Sequence, residues 1–126
     1  MQKNLFFLVF CSLNSNFAPM KRIGLLSDTH SHWDERYEHY FSECDEVWHA
    51  GDFGNIDIAD KLREIKHGEN NIILRGVHGN IDGDIVRREF PEVLRFKCED
   101  VDVLMKHIGG YPGRYDRSIY WQLTHK

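Results

Sequence analysis

An α/β fold with parallel strands, crossover helices and an antiparallel hairpin is what this 126-residue sequence predicts, and three observations carry that expectation. Short apolar runs without alternation, at 23–27 (IGLLS), 46–50 (EVWHA) and 71–77 (NIILRGV), each stop at a polar segment, as strands buried on both faces do. Between them lie stretches with apolar residues at three- and four-residue spacing, the periodicity of amphipathic helices. After Glu92 the pattern turns to alternation, which marks antiparallel strands. Strand, helix, strand, helix, strand with a loop after each strand implies parallel pairing and right-handed crossovers.

Taken in order, the first segment, MQKNLFFLVFCSL, sets Lys3 ahead of an apolar run at the short end of what secretion requires, and no small-x-small cleavage site follows. Met20, Lys21 and Arg22 stand directly before IGLLS. Met20 therefore reads as the natural start, residues 1–19 as an upstream extension of no functional weight, and residues 20–126 as a single domain. A membrane span needs about 20 apolar residues, and the sequence has no such run.

In HWDERYEHYFSECD, Trp33, Tyr37, Tyr40 and Phe41 recur at helical spacing, with Asp34, Glu35, Glu38 and His39 on the other faces, so the aromatic stripe is expected in the core. The run EVWHA ends at Gly51-Asp52. A second helix over about 56–65 carries Ile58, Leu62 and Ile65 on one stripe and ends near Gly68. NIILRGV then runs into the glycine-rich HGNIDGD. The alternating runs EVLRFKC (92–98) and VDVLMKH (101–107) predict a hairpin through the polar EDVD region, and the tail from 108 onward is rich in glycine, proline and aromatics with a helical pattern toward its end.

With 41% hydrophobic and 29% charged residues, the chain can bury one core. Its net charge of -4, with scattered lysines and arginines, argues against a sequence-independent nucleic-acid surface. A small anionic substrate stays compatible, because a metal can supply the positive charge. Three cysteines, Cys11, Cys44 and Cys98, form no close pair, which argues against a disulfide framework and a zinc knuckle and points to a reducing compartment, the cytoplasm.

In an open parallel sheet, residues just beyond the carboxyl ends of the strands converge in space. Asp28 and His30 follow the first strand, Asp52 the second and Asn80 the third, while His107 ends a later one. All are nitrogen or oxygen donors, which suit divalent cations such as manganese, iron or zinc rather than a thiolate zinc site. Asp52 sits in the middle of the set, where one carboxylate can bridge two ions about 3.5–4 Å apart. Taken singly each residue has a plain reading: Asp-x-His recurs by chance, Asp52 and Asn80 are ordinary turn residues, and His107 could be a satisfied core histidine.

The ordered set Asp28-Thr29-His30, Gly51-Asp52, Gly79-Asn80 and His107 resembles the calcineurin-like metallophosphoesterase superfamily, and GNIDGD is similar to its small bacterial and archaeal phosphodiesterase branch. The resemblance covers residues 20–126 and implies a layered metallophosphoesterase-type fold. It implies that Asp28 and His30 hold one divalent ion, that Asn80 and His107 hold a second, and that Asp52 bridges them, with Asp52 and Asn80 as the catalytic residues. The ions would be manganese, with iron, zinc or nickel as alternatives, and a hydroxide shared between them would attack a phosphodiester or phosphomonoester. Larger members carry a histidine directly after the Gly-Asn pair that protonates the leaving group; here that position is Ile81, so good leaving groups are favoured. The family closes its site with a strand and a G-H-x-H motif, which is absent from this sequence. Closing strands are accordingly expected to be missing, and an inactive remnant or a protein-binding scaffold of the same fold, as in a retromer subunit, is the alternative reading.

Four further features complete the expectations. His32, His49 and His78 lie beside the proposed ligands as orienting or phosphate-contacting candidates, or as loop and packing histidines. Arg114, in GGYPGRYD, is a second substrate-binding candidate besides His32, or part of a surface loop. DFG at 52–54 and NIDGD at 80–84 lack the companions of a kinase magnesium motif and of a calcium loop respectively. An open sheet edge predicts self-association into a homo-oligomer.

Overall fold

The computed structural model describes residues 5–11, 21–111, 114, 115, 117 and 121. In chain order the elements are β1 (Leu5–Cys11), β2 (Lys21–Ser27), α1 (Arg36–Phe41), β3 (Glu46–His49), α2 (Ile56–Arg63), β4 (Lys66–His67), β5 (Asn70–Asn71), β6 (Ile73–Gly76), α3 (Asp84–Glu89), β7 (Val93–Cys98), β8 (Val101–Lys106), β9 (Gly110–Tyr111) and β10 (Arg114–Tyr115). The main sheet runs β1-β2-β3-β6. Its last three strands are parallel, as their unalternated sequences require, and Leu26, His49 and Gly76 stand level across them. The loops leaving β2, β3 and β6 therefore begin at one height on one edge of the sheet, which is what places the candidate ligands together.

The core forms where the helices cover this sheet. Tyr37 and Phe41 of α1 are fully buried and stacked at 5.7 Å, with Trp33 edge-on to Tyr37 at 5.3 Å, so the aromatic stripe is core. Ile58, Ala59 and Leu62 of α2, Val47 of β3 and the rings of Phe53 and Phe90 complete the cluster. Cys44 and Cys98 are buried and neither is in a disulfide. Among the described residues, no helix is long and apolar enough to cross a membrane.

Several elements differ from their sequence reading, each for a local reason. The helix expected from Trp33 starts only at Arg36, because the Asp34 carboxylate takes the Arg36 backbone N–H at 2.9 Å and its guanidinium at 2.6 Å, building a turn first. The strand expected over 71–77 is split: Asn70–Asn71 fold back on Lys66–His67, Ile72 donates its N–H to the Ile65 carbonyl, and β6 begins at Ile73. Helix α3 carries one buried residue, Val86, too few for a periodic signal. The sequence reading assigned no element to residues 1–19, yet Leu5–Cys11 pair antiparallel with the whole of β2. The hairpin stands as expected, β7 against β8, with the turn at Glu99 and Asp100. The helical pattern of the tail lies mostly outside the described residues.

The hairpin is fastened to the sheet through a buried acid. Glu46 on β3, 1% exposed, accepts hydrogen bonds from Lys21 and Arg75 at 2.7 Å and from the Trp48 indole at 3.0 Å. Arg75 and Trp48 both pack on Phe96 of β7, at 4.6 and 4.9 Å. Burial alone would raise the Glu46 carboxyl; the donors outweigh it and hold its pKa below the ordinary value. Glu46→Ala is expected to lower unfolding stability toward the lower side of the roughly 3–5 kcal/mol typical for breaking a buried pair, because Lys21 and Arg75 are each a third exposed and can rehydrate. Urea denaturation at neutral pH checks this, and an unchanged midpoint would remove Glu46 from the fastening.

Candidate metal centre

The loops that leave β2 and β3 run side by side. Asp28 donates its N–H to the Gly51 carbonyl at 2.9 Å, His30 to Asp52 at 3.0 Å and Ser31 to Phe53 at 2.7 Å. This ladder carries an unusual backbone. Asp28, His30, Ser31 and Asp52 all have positive φ, between 47° and 66°, a region that L residues with side chains enter only at a cost of order 1 kcal/mol each. Strain of this kind persists where surrounding bonds over-determine it, and its effect here is to turn three successive ligand candidates toward one point.

At that point, Asp52 Oδ2 lies 3.4 Å from His30 Nε2 and 3.1 Å from His107 Nε2. Asp28 Oδ1 lies 3.7 Å from His30 Nε2 and 3.9 Å from His107 Nε2. One atom from each of Asp28, Asp52 and His107 falls within 4.8 Å of the other two. Each side chain is aimed by a bond at its far atom: Ser27 donates to Asp28 Oδ2 at 2.7 Å, Ile81 N–H donates to Asp52 Oδ1 at 3.2 Å, and His107 Nδ1 meets the Ala50 carbonyl at 2.8 Å. A carbonyl only accepts, so Nδ1 of His107 carries a proton and Nε2 is the nitrogen that faces the two carboxylates. Two carboxylate oxygens and an imidazole nitrogen thus converge on one point, a donor set of the kind that holds a divalent cation.

A neutral histidine braces the two loops from beneath. His49 is fully buried; its Nδ1 accepts the Gly51 N–H at 3.1 Å, and its Nε2–H donates to the Thr29 hydroxyl at 3.0 Å. Thr29 passes its own proton to the Phe53 carbonyl at 3.0 Å, and the His49 ring stacks on Phe53 at 3.6 Å. Burial, and secondarily the nearby His107, push the His49 pKa down to about 3. In the unfolded chain the same group titrates near 6.5. Between those values the unfolded state holds the extra proton, so this contribution is complete above about pH 6.5 and is lost as pH falls toward 3. Chelator-treated protein denatured at pH 7 and pH 5 should lose about 2 kcal/mol of stability through this one group, and His49→Gln should lose correspondingly less. Equal losses in both proteins would contradict the assignment.

The remaining sequence candidates lie beside this cluster or away from it. Asn80 is exposed and shares with His107 a cavity of about 230 Å³, lined also by His78, Arg87, Glu92, Lys106 and Ile108. His78 donates Nδ1–H to the Phe90 carbonyl at 2.8 Å at the cavity's edge. His32 is exposed on the turn closed by its own N–H to Thr29, and Arg114 is exposed on β10, paired with β9. Neither joins the cluster among the described residues.

One buried acid beside the site is absent from the candidates the sequence offers. Asp82, 3% exposed, accepts the backbone N–H groups of Asp52 (3.0 Å), Phe53 (3.2 Å) and Gly79 (2.8 Å) on Oδ2 and that of Gly54 (2.9 Å) on Oδ1. An aspartate in a glycine-rich loop ordinarily signals a turn, and the donors that redefine it lie about thirty positions away in sequence.

Comparison with known proteins agrees with this architecture. The model of the calcineurin-like phosphoesterase superfamily domain matches residues 20–124. The fold is similar to the crystal structure of a conserved uncharacterized protein, a predicted phosphoesterase, from Streptococcus pneumoniae TIGR4, with 21% identity, a TM-score of 0.52 and 81% of this chain covered. The chain spans 55% of that protein's length. No curated protein matches the chain at a significant level.

Proposed function

Because the chain belongs to the calcineurin-like phosphoesterase superfamily, we propose that it hydrolyses phosphate esters at a centre of two divalent ions held by Asp28, His30, Asp52, Asn80 and His107, with Asp52 as the bridge. The observation that carries this reading is the convergence of Asp28 Oδ1, Asp52 Oδ2 and His107 Nε2 on one point, with Nδ1–H of His107 turned away to the Ala50 carbonyl. Bound divalent ions would acidify a water to make the nucleophile and neutralise charge on the phosphate. Asp28 and Asp52, each anchored through its outer oxygen, keep the inner oxygen in place without reorganisation. His107, fixed by the Ala50 carbonyl, keeps the tautomer that offers Nε2. Asn80 opens the site to the neighbouring cavity, whose size suits the organic half of a small ester.

Phosphodiesters with acidic leaving groups are the proposed substrates. Ile81 stands where a leaving-group histidine would otherwise follow the Gly-Asn pair, so the chain offers no proton donor there. Manganese is the proposed native ion, since the donors are oxygen and imidazole nitrogen. The buried cysteines Cys44 and Cys98, neither in a disulfide, support a cytoplasmic setting.

The test is metal uptake by calorimetry together with hydrolysis of bis-p-nitrophenyl phosphate and p-nitrophenyl phosphate in manganese, on this chain and on a version extended by a G-H-x-H strand. Manganese binding with diester turnover in either form supports the reading. Absence of metal and of turnover in both forms would overturn it and favour a protein-binding scaffold.

A further inference from the structure

We propose that Asp82 is a positioning residue for the metal centre: its buried carboxylate gathers the backbone of the Asp52 loop and so holds the Asp52 side chain where it meets His30 and His107. The proposal rests on the metal reading above and adds a residue that itself touches neither ion nor substrate.

The Asp52, Phe53, Gly54 and Gly79 N–H groups point at Asp82, and none of the four donates to a backbone carbonyl among the bonds that tie these loops. One carboxylate therefore answers donors that a buried loop would otherwise leave orphaned. Its bonds fall on the residue whose backbone is left-handed, Asp52 at φ 61°, and on the residue after it. The charge-assisted bonds are what hold that residue in a conformation its side chain disfavours.

The same short segment governs the Asp52 side chain. Ile81, adjacent to Asp82, donates its N–H to Asp52 Oδ1, and Gly79 lies so close that a Cβ there would strike the Asp52 carboxylate. Asp82 is in turn seated by its own N–H to the Gly79 carbonyl at 3.2 Å and by Arg87 Nε to its carbonyl oxygen at 2.6 Å. Residues 79–82 thus form a closed turn, braced by α3, that grips the loop of the bridging candidate while presenting Asn80. Removing the Asp82 charge releases the Asp52 backbone and leaves every proposed ligand in the sequence.

Two measurements test this. In metal-free wild-type protein, hydrogen exchange should show the four amides protected despite their loop positions; free exchange at all four overturns the clamp without recourse to any variant. Asp82→Asn, which keeps shape but removes charge and one acceptor, should then lose protection at 52–54 and bind manganese on the order of 10–100-fold more weakly by calorimetry. Unchanged affinity in the variant, with wild type binding, overturns the proposal even if the melting temperature falls, since a merely structural role would move stability alone. If neither the wild-type chain nor its extended form takes up metal, the metal reading fails, and the exchange comparison alone decides the clamp: lost protection at 52–54 in Asp82→Asn supports it and retained protection overturns it.

Discussion

Asp52→Asn is expected to reduce phosphodiester turnover by on the order of 10³-fold, because it removes several kcal/mol of charge complementarity at the reacting centre, each 1.36 kcal/mol being tenfold in rate. The carboxylate is 4% exposed, with His30 and His107 at 3.4 and 3.1 Å on one oxygen and the Ile81 N–H on the other. Asparagine keeps the volume and can still accept from Ile81 through its carbonyl, but it turns an NH₂ toward the histidines and withdraws the charge proposed to bind a cation. Stability should move the other way. In metal-free protein Asp28 and Asp52 repel each other across the cluster, so the variant should melt at the same temperature as wild type or slightly higher. Manganese calorimetry, bis-p-nitrophenyl phosphate kinetics and thermal melts on one preparation separate these effects. A variant that keeps its metal and its turnover would remove Asp52 from the reaction.

Gly51→Ala should damage the centre from the backbone side. Gly51 has φ 110°, and a Cβ built on it would stand 2.6 Å from His107 Nδ1 and 2.7 Å from His107 Cβ. The φ strain is worth about 1–2 kcal/mol and the overpacking about 1–3 kcal/mol, so a total loss of about 2–5 kcal/mol is expected in urea unfolding. His107 is the neighbour that must move. Its Nδ1–H bond to Ala50 would break, and with it the aim of Nε2 at Asp28 and Asp52, so manganese affinity should fall at least about tenfold. The double variant Gly51→Ala with His107→Gly relieves the clash, recovering part of the stability and none of the affinity. Full affinity in the single variant would show that His107 is not a ligand.

The sheet and its site were legible in the chain to different depths. Unalternated runs marked β2 and β3, and alternation marked the hairpin, since burial on two faces or one is written directly into residue order. Candidate ligands were visible because parallel strands deliver their carboxyl-end residues to a common edge, where Asp28, His30 and Asp52 meet and are joined by His107 from the end of the antiparallel hairpin strand β8. Helix α3 and the split before β6 were not, because six residues with one buried side chain, or one N–H diverted to the Ile65 carbonyl, leave no periodic trace.

By itself, then, the sequence determined the fold class, the core stripe of Tyr37 and Phe41, and the residue types available for chemistry, all of which follow from local periodicity and from loop position after a strand. Tertiary structure alone decided which lone pairs face each other, that His49 is a buried neutral brace, that Leu5–Cys11 pair with β2, and that Asp82 is a hub for four amides. The physical reason is range. Burial patterns repeat every two to four residues, whereas the hydrogen bonds from Asp82 to the Asp52 loop join groups about thirty residues apart and exist only once the strands bring their loops into register.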